Sequence, residues 1–128
     1  MGALVLDASA AIGFLDPTDA HHRRATERIA VHYASTSPLL LPASAYAEML
    51  VRPLRAGTAD GFEAFVDRQE VELVPVDRAL ARAAARLRAD HASLRLGDAL
   101  VLATARVRDA DLLTFDDRLR RIAGQHLP

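Results

Sequence analysis

Four acidic residues hold positions that constrain how this chain can fold. Asp7 and Asp116 each directly follow a short, mostly apolar segment, whereas Asp98 begins an apolar helical segment and Glu48 lies one turn inside another. In an alternating α/β chain, strand ends and helix starts gather along one edge of the sheet. Two charges about 5 Å apart repel by roughly 3 kcal/mol at an effective dielectric constant near 20. A cation or bound protons must therefore offset the repulsion.

The hydrophobic pattern predicts short strands that alternate with helices. Short, mostly apolar segments typical of buried strands occur at 3–7, 39–41, 71–76, where Pro75 interrupts the segment, and 112–115. Helices are predicted at 9–15, 18–33, 44–55, 58–70, 77–92, 98–108 and 116–124. This order favours a three-layer α/β/α fold with a small, mostly parallel sheet covered on both faces. The length predicts one domain over residues 1–128.

Polar residues, glycine and proline predict where several helices begin and end. Ser9, Ser44 and Asp77 are predicted N-caps, and Gly57 is a predicted C-terminal stop. Pro53 lies within the preceding turn, so we expect a kink or an early end of that helix.

The composition excludes several kinds of site. There is no Cys, so disulfides, thiolate catalysis and cysteine-ligated zinc are excluded. All 16 basic residues are Arg, which also excludes Schiff-base lysines and the P-loop lysine. The net charge of −1 does not indicate a basic nucleic-acid binder, so any such contact must come from locally placed Arg. No apolar segment is long enough for a membrane span, and we expect a cytoplasmic protein.

Each acid also has a simpler interpretation. Asp98 and Asp116 could be ordinary N-caps, and Glu48 could form an i,i+4 ion pair with Arg52. Asp7 is harder to explain in this way, because a carboxylate directly after a buried strand is desolvated unless it is paired or bound to a metal. The order and context of all four acids carry the argument.

Four segments together resemble the PIN-domain ribonucleases. They are Leu-Val-Leu-Asp-Ala-Ser at 4–9, Pro-Ala-Ser-Ala-Tyr-Ala-Glu at 42–48, Gly-Asp-Ala-Leu at 97–100 and Leu-Thr-Phe-Asp at 113–116. The resemblance covers nearly the whole chain, and the length suits the compact VapC-type toxins of prokaryotic toxin–antitoxin pairs. It implies a metal-dependent endoribonuclease.

The resemblance also implies roles for individual residues. The catalytic, metal-binding acids would be Asp7, Glu48, Asp98 and Asp116, and the hydroxyl groups of Ser9 and Thr114 would support them. Asp117 is an alternative fourth acid, because a shifted turn could present either neighbour. Mg²⁺, with Mn²⁺ as a substitute, suits carboxylate oxygens, and we expect Asp7 and Asp98 to be its most direct ligands. A small antitoxin that covers the acidic groove and a homodimer are the implied protein partners.

Arginine side chains are needed to admit a negatively charged phosphate to four acids. Arg52 and Arg55 are expected on the helix face of Glu48. Arg95 and Arg118 flank the third and fourth acids in the sequence. We expect these four arginines to contact RNA or the antitoxin. All five histidines are expected at the surface or at edges, without a metal role.

Two other functions remain open. A catalytically inactive PIN-like module could bind protein or RNA without cleaving it. A phosphatase with an aspartate nucleophile could also begin with Val5-Leu6-Asp7. However, such enzymes usually place a second Asp where this chain has Ser9, and they use a Lys that this chain lacks.

Overall fold

Four short strands form a parallel sheet at the centre of the computed structural model, which describes residues 2–34, 37–69 and 71–126. The strands are β1 (Leu4–Leu6), β2 (Leu39–Pro42), β3 (Glu72–Val74) and β4 (Asp111–Leu113). Their order is β3-β2-β1-β4, and every pair of neighbours is parallel in this described part. The carboxyl ends of the strands therefore lie along one edge, as the sequence predicted.

The two inner strands explain the continuous apolar segments of the sequence. All residues of β1 and β2 are buried, because both faces of these strands are covered by other elements. The register pairs Leu4 with Leu39 on one side and with Asp111 on the other. This register brings the ends of β1 and β4 side by side, and with them Asp7 and the segment that contains Thr114.

Seven helices complete the described fold. They are α1 (Ala8–Leu15), α2 (His22–Tyr33), α3 (Ala43–Ala56), α4 (Ala59–Arg68), α5 (Arg78–Asp90), α6 (Leu96–Val107) and α7 (Asp117–His126). The largely buried α6 packs on β1, β2 and β4 and is itself covered by α5, while α1 packs on α2 and α3. The predicted α/β/α fold is confirmed. Within the described ranges, no helix has the length and apolar character needed to cross a membrane.

Several predicted helix starts are wrong. The Asp7 carboxylate accepts a hydrogen bond from the Ala10 amide at 2.8 Å, so Asp7 is the N-cap of α1 and Ser9 lies inside the helix. Helix α3 begins directly after Pro42, and the buried Ser44 hydroxyl has no hydrogen-bond partner in the described part of the chain. Helix α6 begins at Leu96, which places Asp98 in its first turn rather than at its cap. 

Other predicted boundaries are confirmed or shifted. Asp77 caps α5 by accepting a hydrogen bond from the Leu80 amide, and Gly57 ends α3 with a positive φ of 74°. Helix α3 continues through Pro53, so of the two predicted alternatives the early end is wrong and the kink remains a prediction. Helix α2 starts at His22, four residues later than the first predicted position. The predicted end of α4 at Glu70 lies outside the described residues.

A pair of glycine substitutions tests the helix boundary at residue 57. Gly57→Ala should lower the free energy of unfolding by about 1 kcal/mol or more, because a left-handed backbone is unfavourable with a Cβ. Gly61→Ala, inside α4 with open space around its Cβ position, should raise that free energy by roughly 0.5–1 kcal/mol. Urea denaturation of both variants measures this difference, and equal effects at the two positions would contradict it.

Candidate active site

The Asp7 carboxylate is the buried centre of the candidate site. Its side chain lies at the end of β1, and the residue is only 6 % exposed. One oxygen accepts hydrogen bonds from the Ser9 hydroxyl at 2.7 Å and from the Ala10 amide at 2.8 Å. The other oxygen accepts a hydrogen bond from the Thr114 hydroxyl. These donors compensate for the desolvation of the carboxylate and hold it in one orientation.

The same hydroxyl groups connect β1 to the segment after β4. The Ser9 hydroxyl accepts a hydrogen bond from the Phe115 amide at 3.1 Å. The Thr114 hydroxyl accepts one from the Asp116 amide, also at 3.1 Å. Ser9 and Thr114 therefore position both Asp7 and the backbone that presents Asp116. Their contribution to activity remains a prediction.

Glu48 on α3 approaches the start of α6. Its carboxylate lies against Gly97, at a place that a Cβ atom on this glycine would occupy. Although Glu48 as a residue is exposed, partial burial of its carboxyl group raises its pKa, and the negative charges of Asp98 and Asp7 raise it further. Nearby Arg95 acts in the opposite direction. Glu48 is thus electrostatically coupled to two of the other acids.

Asp98 links the remaining members of the cluster. Partial burial raises the pKa of its carboxyl group, and the charges of Asp116 and Asp7 raise it as well. The guanidinium groups of Arg95 and Arg118 lower it. The other three acids are therefore each near enough to interact electrostatically with Asp98, and two of the four predicted arginines lie beside it.

The structure distinguishes Asp116 from its neighbour Asp117. One oxygen of Asp116 accepts hydrogen bonds from the amides of Arg118 at 2.9 Å and Leu119 at 3.2 Å, so Asp116 does cap α7 while it faces Asp98. The Asp117 side chain is 92 % exposed and lies 3.7 Å from the Arg120 guanidinium. The capping interpretation and the site interpretation are therefore both compatible with Asp116.

The other two predicted arginines are not among the groups that shift the pKa of Glu48 or Asp98. Arg52 lines a cavity together with Asp16, whose pKa is lowered by hydrogen bonds from Thr18 and more weakly by Arg52. Arg55 is exposed in the last turn of α3. Among the ion pairs of the described ranges there is none between Glu48 and Arg52, so Glu48 is not occupied by the simple helical pair.

The donor chemistry of the cluster suits a hard divalent cation, although the side chains are not drawn together around one. No three His, Asp or Glu side chains among residues 2–34, 37–69 and 71–126 are grouped as metal ligands. Partial burial nevertheless raises the pKa of Glu48 and Asp98, and the negative charges of neighbouring acids raise it further. Carboxylate oxygens and excess negative charge are what Mg²⁺ or Mn²⁺ requires, so these residues fit such an ion.

Sequence reasoning missed several interactions beside the acids. His32 is buried, with its Nε2 3.0 Å from the Pro38 carbonyl, so the expectation of a surface position is wrong for this residue. His21 stacks on Phe115, and Arg24 lies over the same ring. The only sequence signal for this cluster is the helical spacing of three between His21 and Arg24. The side chain of His126 lies outside the described residues.

Removing one charge from the cluster should not destabilise the metal-free protein. We expect Asp98→Asn to leave the free energy of unfolding at pH 7 unchanged or to raise it by up to about 1 kcal/mol, since partly exposed charges are screened. Asp77→Asn is the matched control, because Asn also caps helices and Asp77 lies outside the cluster. A clear loss of stability for Asp98→Asn but not for Asp77→Asn, measured by urea denaturation in EDTA, would contradict repulsion between Asp98 and the neighbouring acids.

Asp98→Asn should also change how the free energy of unfolding depends on pH. In the unfolded chain Asp98 titrates near its ordinary pKa of 3.8, and in the folded chain its pKa is higher. The folded protein therefore retains the proton longer, and its free energy of unfolding falls as the pH rises from 3.8 through the raised pKa. Asp98→Asn should make this fall less steep between these limits, as urea denaturation at a series of pH values can measure.

Comparison with known proteins is consistent with this geometry. No curated protein has a significantly similar sequence. Three solved structures share the fold at low identity. A toxin–antitoxin complex from Klebsiella pneumoniae is 17 % identical, with 88 % of this chain and 86 % of that chain covered and a TM-score of 0.71. VapBC2 from Rickettsia felis, bound to a DNA fragment from its promoter, is 13 % identical, with 94 % and 92 % covered and a TM-score of 0.71.

The third structure is a toxin that cleaves the sarcin–ricin loop, Mycobacterium tuberculosis VapC20. It is 18 % identical, with 92 % of this chain and 93 % of that chain covered and a TM-score of 0.72. At these identities the similarity establishes the fold alone. The sequence itself matches the PIN domain family over residues 4–125, which is nearly the whole chain. This chain therefore belongs to the PIN domain family.

Proposed function

We propose that this PIN-domain chain is a metal-dependent endoribonuclease and the toxin of a toxin–antitoxin pair. The observation that carries the proposal is the electrostatic coupling of four acids at the carboxyl edge of the sheet. Partial burial and then the charges of neighbouring acids raise the pKa of Glu48 and Asp98, so the ionised forms are disfavoured there and a bound cation would favour them. Structural similarity to toxins of such pairs supports the proposal.

Each acid has a distinct part in the proposed site. Asp7 and Asp98 would hold Mg²⁺ or Mn²⁺ most directly, and Glu48 and Asp116 would complete the site. When bound, the ion supplies activation of a water molecule and neutralisation of charge at the phosphate. Asp7 is held rigidly by its three donors, which favours a fixed ligand position.

Arg95 and Arg118 would bring the phosphodiester to this acidic edge. Both guanidinium groups lower the pKa of Asp98, so both lie within electrostatic range of it. A phosphate placed between them would form charge-assisted hydrogen bonds that offset its repulsion from the acids. Arg52 and Arg55 lie farther along α3 and are proposed to contact an antitoxin rather than the scissile phosphate.

The proposal includes protein partners. A small antitoxin would cover the acidic site, and the cavity lined by Arg52, Asp16 and the apolar Ile12, Met49 and Phe62 offers it a mixed surface. A homodimer and a cytoplasmic location, with one domain over residues 1–128, belong to the same proposal. The exposed apolar side chains of Leu54, Leu96 and Val107 are available to such an interface.

An inactive binding module is the second candidate. It is favoured by the absence of a ready group of three metal ligands in the part of the chain that the structure describes. Metal binding separates the two functions. At a Mn²⁺ concentration 100-fold above Kd, an enzyme with a metal site should gain about 2.7 kcal/mol in its free energy of unfolding, whereas a metal-free module should gain none.

Cleavage of total RNA by the purified protein tests the enzymatic proposal. We expect cleavage with Mg²⁺ or Mn²⁺ and none with EDTA. Asp7→Asn should reduce the rate by about two orders of magnitude or more, because stabilisation by a metal is worth several kcal/mol. The amide can still accept the hydrogen bonds of Ser9 and Ala10, so the fold should be kept. Equal cleavage by wild type and variant would reject Asp7 as a catalytic residue.

A second pair of variants tests which neighbour is the fourth acid. Asp116→Asn keeps an N-cap for α7 and should lower Mn²⁺ affinity or activity by about 10- to 100-fold. Asp117→Asn changes an exposed side chain and should alter neither property more than about twofold. Titration with Mn²⁺, followed by thermal unfolding, measures the affinity independently of cleavage. A larger effect at Asp117 would reverse the assignment.

A further inference from the structure

A groove rich in arginine lies beside the acids, on the outer side of β4. It is lined by Arg24, Arg28, Leu112, Thr114, Phe115 and Arg120, and we call this set the arginine groove. Strand β4 is an outer strand of the described sheet, so the groove is open to a ligand. Its three arginines are different from the four that the sequence predicted to contact RNA or the antitoxin.

Two of the arginines are held in place by neighbouring groups. The Nη2 of Arg120 donates a hydrogen bond to the Thr114 carbonyl at 3.0 Å. The guanidinium carbon of Arg24 lies 5.0 Å from the centre of the Phe115 ring, within the range of a cation–π contact. His21 stacks on the same ring, with centroids 4.4 Å apart and planes 7° from parallel. The groove thus contains oriented cations and the Phe115 ring, with His21 stacked on that ring beside it.

The positive charge of the groove is poorly neutralised. Among the ion pairs of the described ranges, none involves Arg24 or Arg28, and Arg120 has only Asp117 at 3.7 Å. One acid, Asp111, lies farther along β4 in the adjoining depression. The whole chain has a net charge of −1, so this local excess of positive charge is not a consequence of a basic composition.

The groove and the acidic site share one short segment. The Thr114 hydroxyl donates a hydrogen bond to Asp7, and the Thr114 carbonyl accepts one from Arg120. Phe115 lines the groove with its side chain, while its amide donates to Ser9 beside Asp7. A polymer lying in the groove would therefore continue directly to the acids.

We propose that the arginine groove binds the phosphodiester backbone of single-stranded RNA adjacent to the cleaved bond. Guanidinium groups suit phosphate oxygens, and flat groups such as His21 and Arg24 suit unpaired bases, which stack on aromatic rings and guanidinium planes. This inference rests on the proposed ribonuclease function, because it assigns part of the substrate path to that site.

Binding of a short, fluorescently labelled single-stranded RNA tests the groove. The Asp7→Asn background prevents cleavage, and fluorescence anisotropy at several salt concentrations measures affinity. Arg24→Ala/Arg28→Ala should weaken binding at least tenfold and should reduce the slope of log affinity against log salt by about 0.7 for each lost phosphate contact. Arg82→Ala/Arg86→Ala is the matched control, because it removes two exposed arginines at the same helical spacing on α5.

A kinetic measurement keeps the test independent of the Asp7→Asn background. In the otherwise wild-type protein, Arg24→Ala/Arg28→Ala should raise KM for RNA and leave kcat within about twofold, since uniform binding is lost. The control pair should change neither value. If the two double variants behave equally in both assays, the arginine groove does not bind RNA, and the ribonuclease proposal is unaffected.

The remaining outcomes separate the two proposals. RNA binding that depends on Arg24 and Arg28, without any metal-dependent cleavage, would support RNA binding by the groove and would contradict the proposed ribonuclease activity. A wild-type protein that cleaves RNA with unchanged KM in the double variant would reject the groove. Poly-glutamate serves as a second probe. If its binding depends on the arginine pair and RNA binding does not, the groove accepts an acidic protein segment and the RNA proposal is overturned.

Discussion

The buried carboxylate of Asp7 is the interaction on which the candidate site depends. A charge at the end of a buried strand must be compensated, and this chain uses two hydroxyl groups and one amide to do so. The Ser9 and Thr114 hydroxyls also accept amide hydrogen bonds from the segment after β4. Compensation of one charge therefore joins the first and last strands of the chain, and the position of Asp116 follows from it.

The carboxylates of Glu48 and Asp98 are less well compensated than that of Asp7. Asp116 receives two amide hydrogen bonds at the start of α7, whereas the pKa values of Glu48 and Asp98 are raised by partial burial and by their neighbours. Gly97 permits the approach of Glu48, because any Cβ there would meet its carboxylate. The fold accepts repulsion between Glu48 and Asp98 at the place where a cation would relieve it.

The sheet and the position of the acids could be predicted from sequence because both depend on local patterns. Short apolar segments followed by Asp7 and Asp116 indicate parallel strand ends. The structure confirms this for Asp7, which directly follows β1, whereas β4 ends at Leu113 and Thr114 and Phe115 separate it from Asp116. The helix caps were less predictable, since Ser9, Asp7 and Ser44 are all acceptable caps and the choice depends on where the strand ends. The burial of His32 agrees with its helical spacing from the buried Ala25 and Ile29 of α2. The contacts around Phe115 depend on tertiary packing between distant segments, and the sequence shows only the helical spacing of His21 and Arg24.

Phe115 lies between the acidic site and the arginine groove and contacts both. Its backbone belongs to the network around Asp7, and its ring orients Arg24 and His21 on the other side of the segment. In the part of the chain that the structure describes, the acids of the acidic site and the arginines Arg24 and Arg28 thus do not form ion pairs with one another. If the proposed function is correct, this separation would let the arginines bind phosphates while the acids bind a metal ion.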